Sequence, residues 1–180
     1  MIGMVKCLIC GREVPADEYS DHWDSHHGIP ATHLATMLEV CLICGGSHLS
    51  HKCPFLPKER RDFVYDIASY NDLMQILFEN INKRLGGPVL GLEIYRVPKA
   101  RYAFDAYAGI PGKVILTIND SKEYMIEAGM VAASFIHEIL HQKYPELEEE
   151  EINEITREKW DELYKGLVYP LPQPRLREGG

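Results

Sequence analysis

The segment His137-Glu138-Ile139-Leu140-His141 constrains this chain more than any other. Residues four apart on an α-helix share a face, so the two imidazoles can meet one metal ion. Glu138, one position on, can then reach a water held by that ion. The surrounding residues, among them Met130, Val131, Phe135, Ile136, Ile139 and Leu140, are apolar on most sides of such a helix, which predicts that it is buried. Two histidines and a glutamate on a buried helix are costly without a partner, and a metal supplies one. Zinc suits the donors and the chemistry: it lowers the pKa of its bound water towards ~7, and a neighbouring carboxylate can take the proton during attack on a carbonyl.

A catalytic-type zinc site needs a third protein ligand and an open fourth position. No histidine follows His141, so the glutamates at 146, 148, 149, 150, 151, 154, 158 and 162 are the supply. Folding two helices back about Pro145 sets His141 level with residues near 150 and His137 level with residues near 154. With Ile152, Ile155 and Leu163 facing inward, Glu151 is the favoured ligand and Glu154 the alternative. The competing structural reading of Glu151 is a capping-box carboxylate.

A different signature fills the first part of the chain. All five cysteines lie between Cys7 and Cys53, an odd number that suits disulfide pairing badly. His22, His26, His27, His48 and His51 share that stretch, and such clustering points to zinc in a reducing compartment. Cys7, Cys10, His22 and His26, with His27 as the alternative last ligand, nearly match a two-Cys/two-His finger one residue short in its central spacer. Val14 and Tyr19 stand where such a finger keeps its small core. Its helix reads Ala16-Asp17-Glu18-Tyr19-Ser20-Asp21, acidic where a DNA-reading finger presents Arg, Lys, Asn or Gln. Cys41, Cys44, His48 and Cys53 resemble a Cys-Cys-His-Cys knuckle with one residue missing before the histidine, and His51 is the fallback. Gly45-Gly46 supplies its tight turn. Lys52, Lys58, Arg60 and Arg61 are the local positive charge on a chain of net charge -8. Structural or protein-docking use of both modules is therefore favoured over nucleic-acid binding.

Composition divides the chain into a finger (1–30), a knuckle (38–57), a main domain (58–167) and an extended tail (168–180). The main domain reads as α+β. A helical apolar period runs from Asp62 to Leu85 and stops at Gly86-Gly87-Pro88. Strands follow over 89–97, 102–108 and 114–118, with a turn at 109–112. Asn119, Asp120 and Ser121 offer N-caps for a helix running to about Tyr144, and a last helix spans about Glu148 to Leu167. No stretch reaches bilayer-spanning length, and the N-terminus lacks a charged lead before a long apolar run. The expected address is cytoplasmic, with no membrane partner.

Strand, His-Glu-x-x-His helix and then a helix offering glutamate together resemble the gluzincin class of zinc metallopeptidases, and the minigluzincins in particular, over about residues 60–167. The resemblance implies a small zincin-like domain acting as an endopeptidase on peptide or protein substrates, with Glu138 as general base. It implies an edge strand lying antiparallel to bound peptide, for which Phe104, Ala106 and Ala108 are the candidates. It also implies a Tyr or His that stabilises the oxyanion, and a latent form in which a C-terminal segment such as Val168–Arg177 lies in the cleft. The rival readings are a regulatory protein that binds nucleic acid or a protein partner over an inactive or latent peptidase fold, and a peptidase targeted to DNA-bound proteins. One catalytic and two structural sites predict three zinc ions per fully loaded chain. Metal quantification should return that ratio, with the closed sites slower to yield to chelator because structural zinc is worth ~10–16 kcal/mol; a single tightly held ion would contradict the double module.

Overall fold

The computed structural model describes residues 3–7, 11–18, 22, 40–87, 91–98, 103–126, 128–165 and 167, and its architecture is α+β. Strands β1 (Met4–Lys6) and β2 (Glu13–Pro15) form an antiparallel ribbon. Strands β3 (Gly91–Val97), β4 (Phe104–Ile110) and β5 (Lys113–Asn119) form a mixed sheet of order β3-β5-β4. The α-helices bounded within the described residues are α1 (Asn71–Arg84), α2 (Ala128–Lys143) and α3 (Glu149–Leu163).

Strand β5 is central because it is apolar on both faces. Val114, Leu116 and Ile118 bury towards the helices, and Ile115 is covered on the opposite side. β3 runs parallel to it and β4 antiparallel, joined by a turn in which Gly112 adopts φ 81°. The half-covered outer face exposes Tyr95 and Tyr107. Against the inner face lies α2, which buries Val131, Phe135, Ile136, Ile139 and Leu140 between the sheet, α1 and α3. Phe78 of α1 meets Phe135 edge-on at 5.4 Å. Gly86 and Gly87, at φ 82° and 73°, close α1, with the Gly87 N–H on the Asn82 carbonyl at 2.8 Å.

Two predicted helices are broken. The period over 62–85 covers a 3-10 helix (Lys58–Ser69) and then α1, separated by Tyr70 at φ -131°, ψ 110°. Arg60 clasps this break, stacking 4.4 Å over the Tyr70 ring and pairing with Asp72. The helix expected from Asn119 starts as a 3-10 turn (Asp120–Met125), capped by Asn119 Oδ1 accepting from the Ser121 N–H at 3.0 Å. It breaks at Ile126, φ -98° and ψ 116°, before α2 begins. Arg96 of β3 holds both interruptions. Its guanidinium pairs with Asp120 (3.1 Å) and Glu123 (2.8 Å), and donates to the Ala68 carbonyl (2.6 Å) and Asn71 Oδ1 (2.8 Å).

The composition change near residue 57 is not a gap in packing. Cys41, Leu42, Ile43, Cys53 and Leu56 belong to the same buried cluster as Leu73, Phe135 and Trp160. The Tyr164 hydroxyl, just past α3, donates to the Leu42 carbonyl at 2.9 Å, and burial pushes that phenol's pKa upward. Gly45, at φ 74°, lets the knuckle backbone lie so close to the Leu163 carbonyl and Arg84 that a Cβ there would collide with both. Arg84 in turn donates to the Leu163 carbonyl at 3.2 Å. Among the described residues no helix is long and apolar enough to cross a membrane.

Replacing Tyr164 with Phe leaves a buried carbonyl without its donor, so unfolding free energy should fall by about 1–3 kcal/mol. Urea denaturation reads this directly; an unchanged midpoint would show that the knuckle does not rest on that bond.

Candidate metal centres

α2 carries His137 and His141 on one side, their ring centroids 4.7 Å and their Nε2 atoms 3.0 Å apart. The chain turns at Pro145, and the first residue of α3 returns to them. Glu149 Oε1 lies 2.7 Å from His137 Nε2, and Oε2 lies 2.8 Å from His141 Nε2. Two ligands of a tetrahedral zinc at ~2.0–2.1 Å sit about 3.3 Å apart, so this spacing needs only a slight spreading to admit an ion. As Nε2–H tautomers the imidazoles can each donate to one oxygen of the carboxylate, which only accepts. With both protons so placed, the two Nε2 atoms 3.0 Å apart cannot also bond each other, and deprotonated nitrogens leave room for a metal instead. Three lone-pair atoms converging on one point can hold a cation. The imidazoles are largely covered while Glu149 is 64% exposed, which puts the group at the surface end of a buried helix.

The carboxylate in reach of both imidazoles is thus that of Glu149, which corrects the assignment to Glu151, and Glu154 does not join the group either. Glu151 occupies the other role open to it. It forms a capping box with Glu148, whose backbone N–H donates to its Oε1 at 3.5 Å. The signal was present in the sequence. The buried stripe of α3 is Ile152, Thr156, Trp160 and Leu163, with Ile155 partly buried at its margin, and its backward extension by three residues is Glu149. Glu138 stands half-buried beside His137 on the same helix.

Phe104 and Ala106 lie on β4, which is an edge strand among the described residues. The Asn119 N–H on the Ala103 carbonyl (2.9 Å) sets the phase of the ladder, so Asp105 and Tyr107 bond towards β5. Phe104 and Ala106 then direct their backbone groups away from β5. Ala108 falls where the register shifts between Tyr107 and Ile110, and its carbonyl accepts from Gln142 Nε2 at 3.0 Å.

The second group is Cys41, Cys44, His48 and Cys53, whose donor atoms lie within 4.8 Å of one another and could hold a metal ion. The loop is shaped by the Gly45 N–H on the Cys41 carbonyl (2.7 Å) and the Cys41 N–H on the Gly46 carbonyl (3.0 Å). Ser50 Oγ accepts from the Leu42 N–H at 3.0 Å. Cys44 Sγ meets His48 Nε2 and the Gly46 N–H, each at 3.4 Å. A hydrogen bond from Cys53 draws the Cys41 pKa down to about 5, the same bond pushes Cys53 upward, and burial raises Cys44. His48, and not the fallback His51, completes this group.

Of the residues expected to form a finger, Cys7 and His22 are buried, and Val14 is buried on β2. The Cys7 N–H bonds the Arg12 carbonyl at 2.8 Å, and the Gly11 N–H returns to the Cys7 carbonyl at 2.9 Å. Cys10, His26, His27 and Tyr19 lie outside the described residues, as does the tail over 168–180. Comparison with protein-family models, curated proteins and solved structures found no match to this chain.

Glu149→Gln should strip metal from the histidine pair at micromolar chelator while the parent retains it. Glu151→Gln should keep the metal and change stability little, because a glutamine oxygen still accepts from the Glu148 N–H in the capping box. Metal content and thermal melting of the two variants separate the roles; loss of metal in Glu151→Gln alone would reverse the assignment.

Proposed function

We propose that this chain is a zinc-dependent endopeptidase of gluzincin type, with His137, His141 and Glu149 as the catalytic zinc ligands and Glu138 as general base. The observation that carries the reading is the carboxylate of Glu149 returning from the next helix to both imidazoles of the His-Glu-x-x-His segment. Two histidines and one carboxylate leave a fourth position for water, as a catalytic zinc requires. Bound zinc supplies acidification of a water and polarisation of a peptide carbonyl. Glu138 takes the proton from the attacking water and passes it to the leaving amine. Phe104 and Ala106 offer backbone donors and acceptors to an extended substrate, which adds to the sheet as another strand.

The Cys41–Cys53 group serves this reading as a structural zinc site, because its apolar residues are part of the main core and Tyr164 bonds its backbone. A module that docks nucleic acid would keep its surface free. The finger ligands Cys7, Cys10, His22 and His26 complete the proposed zinc content of one catalytic and two structural ions.

Glu138→Gln should leave zinc stoichiometry unchanged and lower the cleavage rate of unstructured peptides by ~10²-fold or more. His141→Ala should lose metal from that site alone. Cleavage by Glu138→Gln at the parent's rate would refute the mechanism.

A further inference from the structure

Immediately after His141, the side chain of Gln142 leaves α2 for the β4–β5 hairpin. Its Nε2 donates to the carbonyls of Ala108 and Ile110, each at 3.0 Å, with the Lys113 carbonyl at 3.4 Å. Its Oε1 accepts from the Gly112 N–H at 3.2 Å. All these partners are backbone groups around the point where the β4–β5 register shifts, between Tyr107 and Ile110. A bulge releases backbone groups from the ladder, and here a single amide from another element answers them. Both ends of that amide are used, which fixes the hairpin in height and direction relative to α2.

Two consequences follow for the edge of the sheet. The position of β4 is set by the residue covalently adjoining a member of the histidine–glutamate group. The outward row of β4 also ends early, since Phe104 and Ala106 direct their backbone groups away from β5 while the Ala108 carbonyl is already bonded.

We infer that Gln142 is a positioning residue for extended peptide substrates: it sets β4 against the His137–His141–Glu149 group and closes the strand-pairing row at Ala106. This rests on the peptidase reading. A peptide held on β4 reaches the metal group only at the distance that Gln142 imposes, and a displacement of ~1 Å at such a site can cost on the order of 10²-fold in rate. An amide that merely stabilised the hairpin would alter melting and leave the kinetics of the folded protein alone.

The test uses the full-length, zinc-loaded chain with Gln142→Met and Gln142→Glu. The first removes every bond at similar side-chain volume. The second keeps an acceptor for the Gly112 N–H but cannot donate to Ala108 and Ile110, and it carries the test if the first fails to fold. Metal content, melting temperature, and separate KM and kcat are measured on quenched fluorescent peptides of increasing length. Folded variants should keep their metal, and KM should rise ~10-fold or more for peptides long enough to pair with β4, with a smaller change for the shortest. If the parent cleaves and both folded, loaded variants match its KM and kcat at every length, the positioning role is wrong and the peptidase reading stands. A zinc-loaded parent that cleaves no peptide overturns that reading and this inference with it.

Discussion

α2 is buried along most of its circumference, and His137 and His141 interrupt that burial on one side. An apolar helix with two imidazoles on it can be packed against a sheet only if something answers their nitrogens. Here the answer comes from Glu149, brought back by a short turn at Pro145 and by α3 packing its Ile152–Thr156–Trp160–Leu163 stripe against the core. Everything that holds α3 in place therefore also holds the third donor. That includes the knuckle, since Tyr164 and Leu163 at the far end of α3 touch Leu42 and Gly45.

This dependence joins regions that composition separates. The cysteine-rich segment ends in the sequence well before the apolar periods of the main domain begin to dominate, yet Leu42, Ile43 and Leu56 are among the buried residues of one continuous cluster. A metal held by Cys41, Cys44, His48 and Cys53 would be a compact way to fold a short loop whose one regular turn is the 3-10 helix Ser50–Lys52. Its contribution is then to the stability of the fold that carries the histidine–glutamate group.

What could be read in the sequence was what local pattern determines. The strands expected over 89–97, 102–108 and 114–118 overlap β3, β4 and β5, and the end of α1 follows from Gly86-Gly87. The pairing of His137 with His141 follows from helical spacing. The breaks at Tyr70 and Ile126 were not legible, because the residue that holds both interruptions, Arg96, is distant in sequence from each. The docking of the knuckle depends on Tyr164, 122 residues beyond Leu42. Glu149 was missed for a narrower reason: Ile155 lies at the margin of the core-facing stripe and points one turn back to Glu151, whereas the centre of the stripe, through Ile152 and Thr156, leads back to Glu149.

The central claim is that two imidazoles of α2 and the first carboxylate of α3 share one zinc ion. Crystals of the zinc-loaded chain, measured on both sides of the zinc absorption edge, test it most directly. The account predicts an anomalous peak about 2.0–2.2 Å from Nε2 of His137, Nε2 of His141 and a carboxylate oxygen of Glu149. A fully loaded crystal with no peak there, or with Glu151 or Glu154 completing the site, would contradict it.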